Sequence, residues 1–450
     1  MVNISVDFGK ETGIIKPMHA VGQPPFLGGF CKLDVSPIRF FKEANIPYSR
    51  LHDVGGPFGG NRFVDIPNIF RDFDADVDDP ASYDFAFTDV LLEGMHEYGI
   101  SPIFRLGVTI ENQCNIRAYR IHPPKDYNKW ARICEHIVRH YNEGWADGYH
   151  YDIKYWEIWN EPENRPTPDM NQMWTGTAEQ YYELYDVTSK HLKKCFGDTI
   201  KVGGYAATGF YHIFAEPEKY GMDIEKRSGE RYEDEKCVYR MKFLYGFFDY
   251  IKEHNSPIDF FSWHSYIDAE GTGIIAEFVD KFLKERGYGE IETMLNEWNN
   301  AARVKGTLGT SFAAAQAAAM LLVMQNKPTS MLCYYDTRMM VSVYQGMFDG
   351  YKMGPRPLFY VFKAFGYMYQ LGKQAECELN EKDVYAVAAT DGNKKALMVT
   401  NVSDEDKEIS VNLGDDFEVY MIDEENTLTK TYLNPKKFLL KSNQTVLVRN

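Results

Sequence analysis

The chain has 450 residues, 25% charged and 44% hydrophobic, which excludes a disordered, collagenous or membrane-spanning protein and allows a large packed core. Its 49 Lys and Arg against 65 Asp and Glu leave a net charge of −16 with no long basic run, so nucleic acid and anionic membranes are disfavoured as partners. The seven cysteines are scattered, odd in number and without a Cys-x-x-Cys pair, and read as reduced thiols rather than a disulfide framework or a zinc site.

In chain order, short apolar runs rich in β-formers occupy Phe26 to Cys31, Tyr48 to Val54, Ile103 to Gly107, Tyr155 to Asn160, Lys201 to Ala206, Asp259 to Tyr266, Thr293 to Trp298 and Met331 to Asp336. Between them the i, i+3, i+4 spacing of apolar residues predicts helices over Phe85 to Tyr98, Tyr127 to Tyr141, Ala178 to Cys195, Glu235 to His254, Ile275 to Arg286 and Ser311 to Gln325, with Leu358 to Leu371 after the last strand. Eight strands alternating with helices argue for an α/β protein whose parallel strands close into a (β/α)8 barrel. A doubly wound nucleotide-binding sheet would want a glycine-rich phosphate loop. The cluster Gly55, Gly56, Gly59, Gly60 is broken by Pro57 and lacks a Lys, so it reads as a loop over a site.

After residue 372 the texture changes to short alternating runs: Asp383 to Thr390, Ala396 to Val402, Lys407 to Leu413, Phe417 to Ile422, Thr427 to Leu433 and Thr445 to Val448, divided by turn signals such as Asp391-Gly392 and Asn434-Pro435. The expected organisation is a barrel over 21–371 and a small antiparallel β-sandwich built from 1–20 and 372–450.

In such a barrel the residues that end the strands face the active site. The fourth strand ends Trp156-Glu157-Ile158-Trp159-Asn160-Glu161-Pro162-Glu163, and Pro162 predicts an extended Glu161. The seventh ends Asn296-Glu297-Trp298-Asn299. Two glutamates on opposed strands are what a glycosidase needs: one protonated to donate to the leaving oxygen, the other ionised.

These motifs resemble the retaining glycoside hydrolases built on (β/α)8 barrels. With Arg50-Leu51-His52, Trp263-His264-Ser265-Tyr266 and Gly354-Pro355-Arg356-Pro357-Leu358-Phe359-Tyr360 in order, the chain is similar over about residues 26 to 371 to glycoside hydrolase family 39, the β-xylosidases and α-L-iduronidases. The resemblance implies that Glu161 is the general acid/base and Glu297 the nucleophile. It further implies that Asn160 bonds the sugar 2-hydroxyl, that Tyr266 and Arg50 donate to Glu297, and that His264 and His52 line the pocket. Trp298 and Tyr335 are expected as aromatic walls, and Arg338 either meets a uronate carboxylate or neutralises Asp336. No metal or cofactor is implied.

The implied activity is retaining, exo-acting release of a terminal sugar from oligosaccharides, with a β-D-xyloside leading and α-L-arabinofuranosidase, β-galactosidase or uronidase action as alternatives. A catalytically silent sugar-binding barrel is the alternative of another class. Three departures from the xylosidases bear on the sugar: Tyr334 to Arg338 where they end the eighth strand in Trp, Asp53 where they have Gly, and Val108 to Asn112 in place of an aromatic-proline loop. The opening residues carry no basic and apolar leader pattern, so a cytoplasmic location is expected, with no membrane or nucleic-acid partner and a homo-oligomer left open.

Overall fold

In the computed structural model the described residues are 1–24, 37–53, 64–109, 121–302, 304, 306–337, 344, 346–349 and 354–450. The strands are β1 (Val2–Ile14), β2 (Ala20–Gly22), β3 (Tyr48–Leu51), β4 (Ser101–Leu106), β5 (Tyr155–Ile158), β6 (Lys201–Ala207), β7 (Phe260–Ser265), β8 (Glu292–Trp298) and β9 (Met331–Tyr334). Strands β2 to β9 pair in parallel and close into an eight-stranded barrel. The first barrel strand is therefore Ala20–Gly22 and not Phe26 to Cys31, a segment outside the described residues. Three residues are too few for a visible periodicity, whereas Phe26 to Cys31 carries the apolar run that strand reading rewards.

The helices are α1 (Arg39–Glu43), α2 (Ile66–Ile69), α3 (Ala86–Glu97), α4 (Tyr127–Glu143), α5 (Ala178–Phe196), α6 (Glu230–Glu233), α7 (Glu235–His254), α8 (Ala269–Arg286), α9 (Ser311–Gln325) and α10 (Pro357–Leu371). Helix α5 starts at a capping box in which Thr177 and Gln180 satisfy each other's backbone N–H groups. Helix α8 begins six residues before the predicted Ile275, capped by Asp268, because Gly271 and Gly273 interrupt the apolar pattern there. A short pair, β10 (Phe348–Asp349) and β11 (Gly354–Pro355), precedes α10.

The C-terminal strands β12 (Lys373–Leu379), β13 (Val384–Thr390), β14 (Lys395–Asn401), β15 (Lys407–Val411), β16 (Glu418–Ile422), β17 (Thr427–Lys430), β18 (Lys437–Leu440) and β19 (Thr445–Arg449) join β1 in one nine-stranded sheet, ordered β17-β16-β19-β14-β13-β12-β1-β15-β18. Every pairing is antiparallel except that of β1 with β15. The sheet curls over its own core of Val2, Ile4, Leu397, Val399, Ile409, Val419 and Val446. Its other face, with Val387, Ala389, Met398, Ile422 and Leu447, belongs to the same apolar cluster as α9 and α10. The β unit is thereby seated on the barrel's helical coat.

Inside the barrel the layers change character along the axis. Ala20, Ile103, Tyr155, Phe260, Met294, Met331 and Cys333 fill the end from which the strands start. One layer further on stand Arg50, Glu157, Ser262 and Asn296, all buried and polar. Barrel interiors are otherwise packed with branched apolar side chains, so a charged layer beneath the mouth marks the end built for chemistry.

Candidate active site

Glu161 follows β5 and Glu297 lies on β8, across the barrel from one another. A carboxylate oxygen of each, and a ring nitrogen of His264 on β7, all lie within 4.8 Å of one another. Glu161 takes φ +45°, which corrects the expectation of an extended residue before Pro162. Its N–H donates to the Ala206 carbonyl at 3.1 Å and its own carbonyl accepts from Asn164 N–H at 3.0 Å, so the chain turns back over the mouth. A left-handed non-glycine residue costs about 1–3 kcal/mol, and such strain concentrates at functional sites.

The pairing of β7 with β8 shifts register between Trp263 and His264. That irregularity allows the consecutive residues Asn296 and Glu297 both to engage groups inside the barrel, which a regular strand would forbid. Glu297 Oε1 accepts from the Tyr266 hydroxyl, and Oε2 accepts from Arg50 Nη1 at 3.2 Å. Arg50 also donates through Nε to Glu157 Oε2 at 2.7 Å and through Nη2 to Asn160 Oδ1 at 2.6 Å. Because its Oδ1 is thus taken, Asn160 has its amide N–H groups left to offer. Glu157 Oε1 accepts in turn from Ser262 Oγ at 2.6 Å and from Asn296 Nδ2.

On the other side, Glu161 Oε1 lies 2.8 Å from His264 Nδ1, and Oε2 accepts from Asn164 Nδ2 at 2.7 Å. Burial pushes Glu297 up and the charge of Glu161 adds to it, against the pull of His264, Arg50 and Tyr266. For Glu161, burial is outweighed by the hydrogen bond and charge of His264, with Arg240 and Asn164, which hold it below the usual carboxylate range. Two buried carboxyls this close titrate as a unit, and losing the pair's second proton is the costly step.

His52, Asp53 and Tyr335 form a second cluster. Tyr335 donates to Asp53 Oδ2 at 2.7 Å, and His52 Nε2 lies 3.3 Å from Asp53 Oδ1. The Tyr335 ring meets that of Tyr344, which meets that of Tyr266, with centroids 5.1 and 5.4 Å apart. Trp298, expected as a wall of the pocket, is instead fully buried against Tyr334, itself packed on Phe362 of α10. Neighbouring strand residues point to opposite faces, and with Glu297 inward Trp298 turns to the helices. Arg338 lies outside the described residues, as do Glu111 and Asn112 of the loop after β4.

Sequence reasoning passed over Glu157, Ser262, Asn296 and Tyr344. Two of them carried a signal, Glu157 as a charged residue inside an apolar strand run and Asn296 as the polar residue that ends one. The donor set Glu161, His264 and Glu297 has a spacing a cation could bridge, as does the partly exposed set Glu135, His191 and Cys195 between α4 and α5. In the first, Arg50 and Tyr266 already hold both oxygens of Glu297; in the second, Arg139 sits on Glu135. Hydrogen-bonding roles fit both sets better than metal binding.

The fold and site define a (β/α)8 barrel with two buried, hydrogen-bonded carboxyls at its C-terminal mouth. Residues 60–303 match glycosyl hydrolases family 39, and the chain belongs to that family. A β-xylosidase of Caldicellulosiruptor saccharolyticus is 27% identical over 233 residues, 49% of this chain and 41% of that protein. One from Geobacillus stearothermophilus is 24% identical over 217 residues, 46% of this chain and 35% of its own length. The matched region thus spans less than half of either relative. In fold the chain is similar to a glucosidase from Croceicoccus marinus, with TM-score 0.74 and 19% identity over 100% of this chain and 98% of that one. It is similar also to a family 39 β-xylosidase from Caulobacter crescentus, with TM-score 0.67 and 15% identity over 99% of each.

Proposed function

We propose that the protein is a retaining glycosidase that releases a terminal sugar by double displacement, with Glu297 as nucleophile and Glu161 as acid and base. The observation that carries this reading is the approach of the two carboxylates to within 4.8 Å. Retaining enzymes hold their carboxyls about 5–5.5 Å apart, whereas inverting ones keep them about 6.5–9.5 Å apart to admit a water between nucleophile and sugar.

Arg50 and Tyr266 spread the charge of Glu297 and aim its oxygens. The coupled pair holds one proton between its two carboxyls; carried by Glu161, it passes to the leaving oxygen as Glu297 attacks the anomeric carbon and forms its ester. Glu161 then takes a proton from water, which attacks the anomeric carbon and frees Glu297. His264, with Nδ1 2.8 Å from Glu161 Oε1, holds that oxygen in place through both halves. The free amide of Asn160 is placed to donate to a sugar hydroxyl.

For the sugar, we infer a β-D-xyloside, in keeping with the two β-xylosidases above. A panel of 4-nitrophenyl glycosides followed by proton NMR of the first anomer released tests the proposal. Retained configuration on a xyloside is expected. An inverted first product, or sugar binding without hydrolysis of any member, defeats it.

A further inference from the structure

Glu161 is gripped by a side chain that has no part in the two-carboxylate mechanism. Asn164 is buried three residues further on, and its backbone N–H closes the turn on the Glu161 carbonyl at 3.0 Å. Its Nδ2 donates to Glu161 Oε2 at 2.7 Å, while Oε1 lies 2.8 Å from His264 Nδ1. Each oxygen of the carboxyl is thus held from a different side, which fixes its plane. With either contact gone the carboxyl could rotate about its last bond, a torsion that is broad by nature.

An amide can present its oxygen or its nitrogen, and only the nitrogen can donate to a carboxylate. Arg165 decides which is presented. Its Nη1 donates to Asn164 Oδ1 at 3.2 Å and to the Asn164 carbonyl at 2.9 Å. A guanidinium donates and never accepts, so it claims the amide oxygen and leaves the NH2 turned to Glu161. Arg240 on α7 donates to the same backbone carbonyl at 3.2 Å. The rest of the turn is pinned as well. Asn171 Nδ2 donates to the carbonyls of Pro162 at 2.7 Å and Arg165 at 3.3 Å. Glu163 Oε1 accepts from the backbone N–H of Thr208 at 2.7 Å and from its hydroxyl at 2.8 Å. A frame bonded at this many points sustains the left-handed backbone of Glu161.

We propose that Asn164 is a positioning residue for the acid/base step: its amide, oriented by Arg165, holds the Glu161 carboxyl in the plane from which it gives and takes the proton. The inference rests on the reading of Glu161 as acid and base. A donor on Oε2 also favours the ionised carboxyl, and Asn164 is among the groups that hold Glu161 below the usual carboxylate range. The grip therefore serves most in the second half of the reaction, where an ionised Glu161 takes the proton from water.

The test is the leaving-group dependence of Asn164→Ala and Asn164→Leu, measured on alkyl and 2,4-dinitrophenyl glycosides of the sugar released fastest in the panel. Leu keeps the volume and offers no hydrogen bond. On alkyl glycosides, whose departure needs the acid, kcat/KM should fall about ten- to a hundredfold, the worth of one hydrogen bond to a charged group and less than the loss of Glu161 itself. On dinitrophenyl glycosides kcat/KM should stay within about twofold, while kcat and KM fall together, because the glycosyl-enzyme accumulates when its hydrolysis lacks a well-placed base. A disturbed fold would instead lower kcat/KM on both substrates alike. Arg165→Ala, which frees the amide to turn, should show the same split at about two- to fivefold, and it decides the matter where neither Asn164 variant folds. Equal losses of kcat/KM on the two substrates in the folded variants, or no loss on either, overturn the proposal. Glu161→Ala, run in parallel, separates the two readings. If it shows the split and the Asn164 and Arg165 variants do not, only the present inference falls. If it loses equally on both substrates, the assignment of Glu161 falls, and this inference with it.

Discussion

Arg50 shows how much chemistry one side chain can organise. Fully buried, it reaches Glu157, Asn160 and Glu297 with three different nitrogens, a fork that a lysine could not reproduce. It charges the nucleophile's surroundings and fixes the amide of Asn160 in one step. Replacing Glu297 with Ala should abolish turnover, and added azide should restore part of it with inverted configuration, read by NMR of the glycosyl azide. A rescued product of unchanged configuration would reassign the nucleophile. Glu161→Ala should lose about 10²- to 10⁴-fold on alkyl glycosides but far less on dinitrophenyl glycosides, whose leaving group needs no proton. Equal losses on both would move the acid elsewhere. The two strand-end glutamates were legible because charged residues that terminate apolar runs are conspicuous. Trp298 was misread because an aromatic beside a glutamate looks like a sugar platform, while strand alternation sends it outward. Ser262 gave no signal, and Asn296 only its place beside Glu297, since a polar residue within a strand acquires a role only when its partner across the barrel is known.

At the scale of elements, the seven long helices stand close to where apolar spacing predicted them, because amphipathicity spreads over many turns. The three short α-helices among the described residues, β2, β10, β11, β12 and β18 escaped; all but the seven-residue β12 hold two to five residues, too few for a period. Helix α10 offers a test in which packing and propensity oppose each other. Gly366 lies in its interior, where alanine would ordinarily gain about 1 kcal/mol. A methyl there would run into the Ala44 carbonyl at the end of α1. Gly366→Ala should therefore destabilise the protein by about 1–3 kcal/mol in denaturant titration, the cost of forcing packed backbones apart. A gain in stability would mean that α10 and α1 are not in contact as described. The register shift before His264 belongs to this scale too: it re-aims the residues of β8 that complete the site, and nothing in the residue types announces it.

For the whole molecule, the outer face of the nine-stranded sheet shares one apolar cluster with α9 and α10, so the sheet and barrel should unfold together. All seven tryptophans lie between residues 130 and 298, within the barrel, so their fluorescence reports that part alone. Thermal unfolding followed by tryptophan emission and by far-ultraviolet circular dichroism should give one shared midpoint. Two separated transitions would show that the sheet is only loosely seated. Among the described residues no helix is long and apolar enough to cross a membrane.

The residue order by itself determined that strands and helices alternate through a barrel, that a β-rich unit follows, and that two glutamates end the fourth and seventh strands. Periodicity and abrupt polar endings are local properties, readable without a partner. Only the tertiary structure decided which strand opens the barrel, that Glu161 adopts a left-handed backbone, and that Glu157 and Glu163 stand behind the reacting pair. Those outcomes depend on what each side chain meets across the barrel. A buried carboxyl has the same letter in the sequence as an exposed one, and differs only in the water it has lost and the charges it faces.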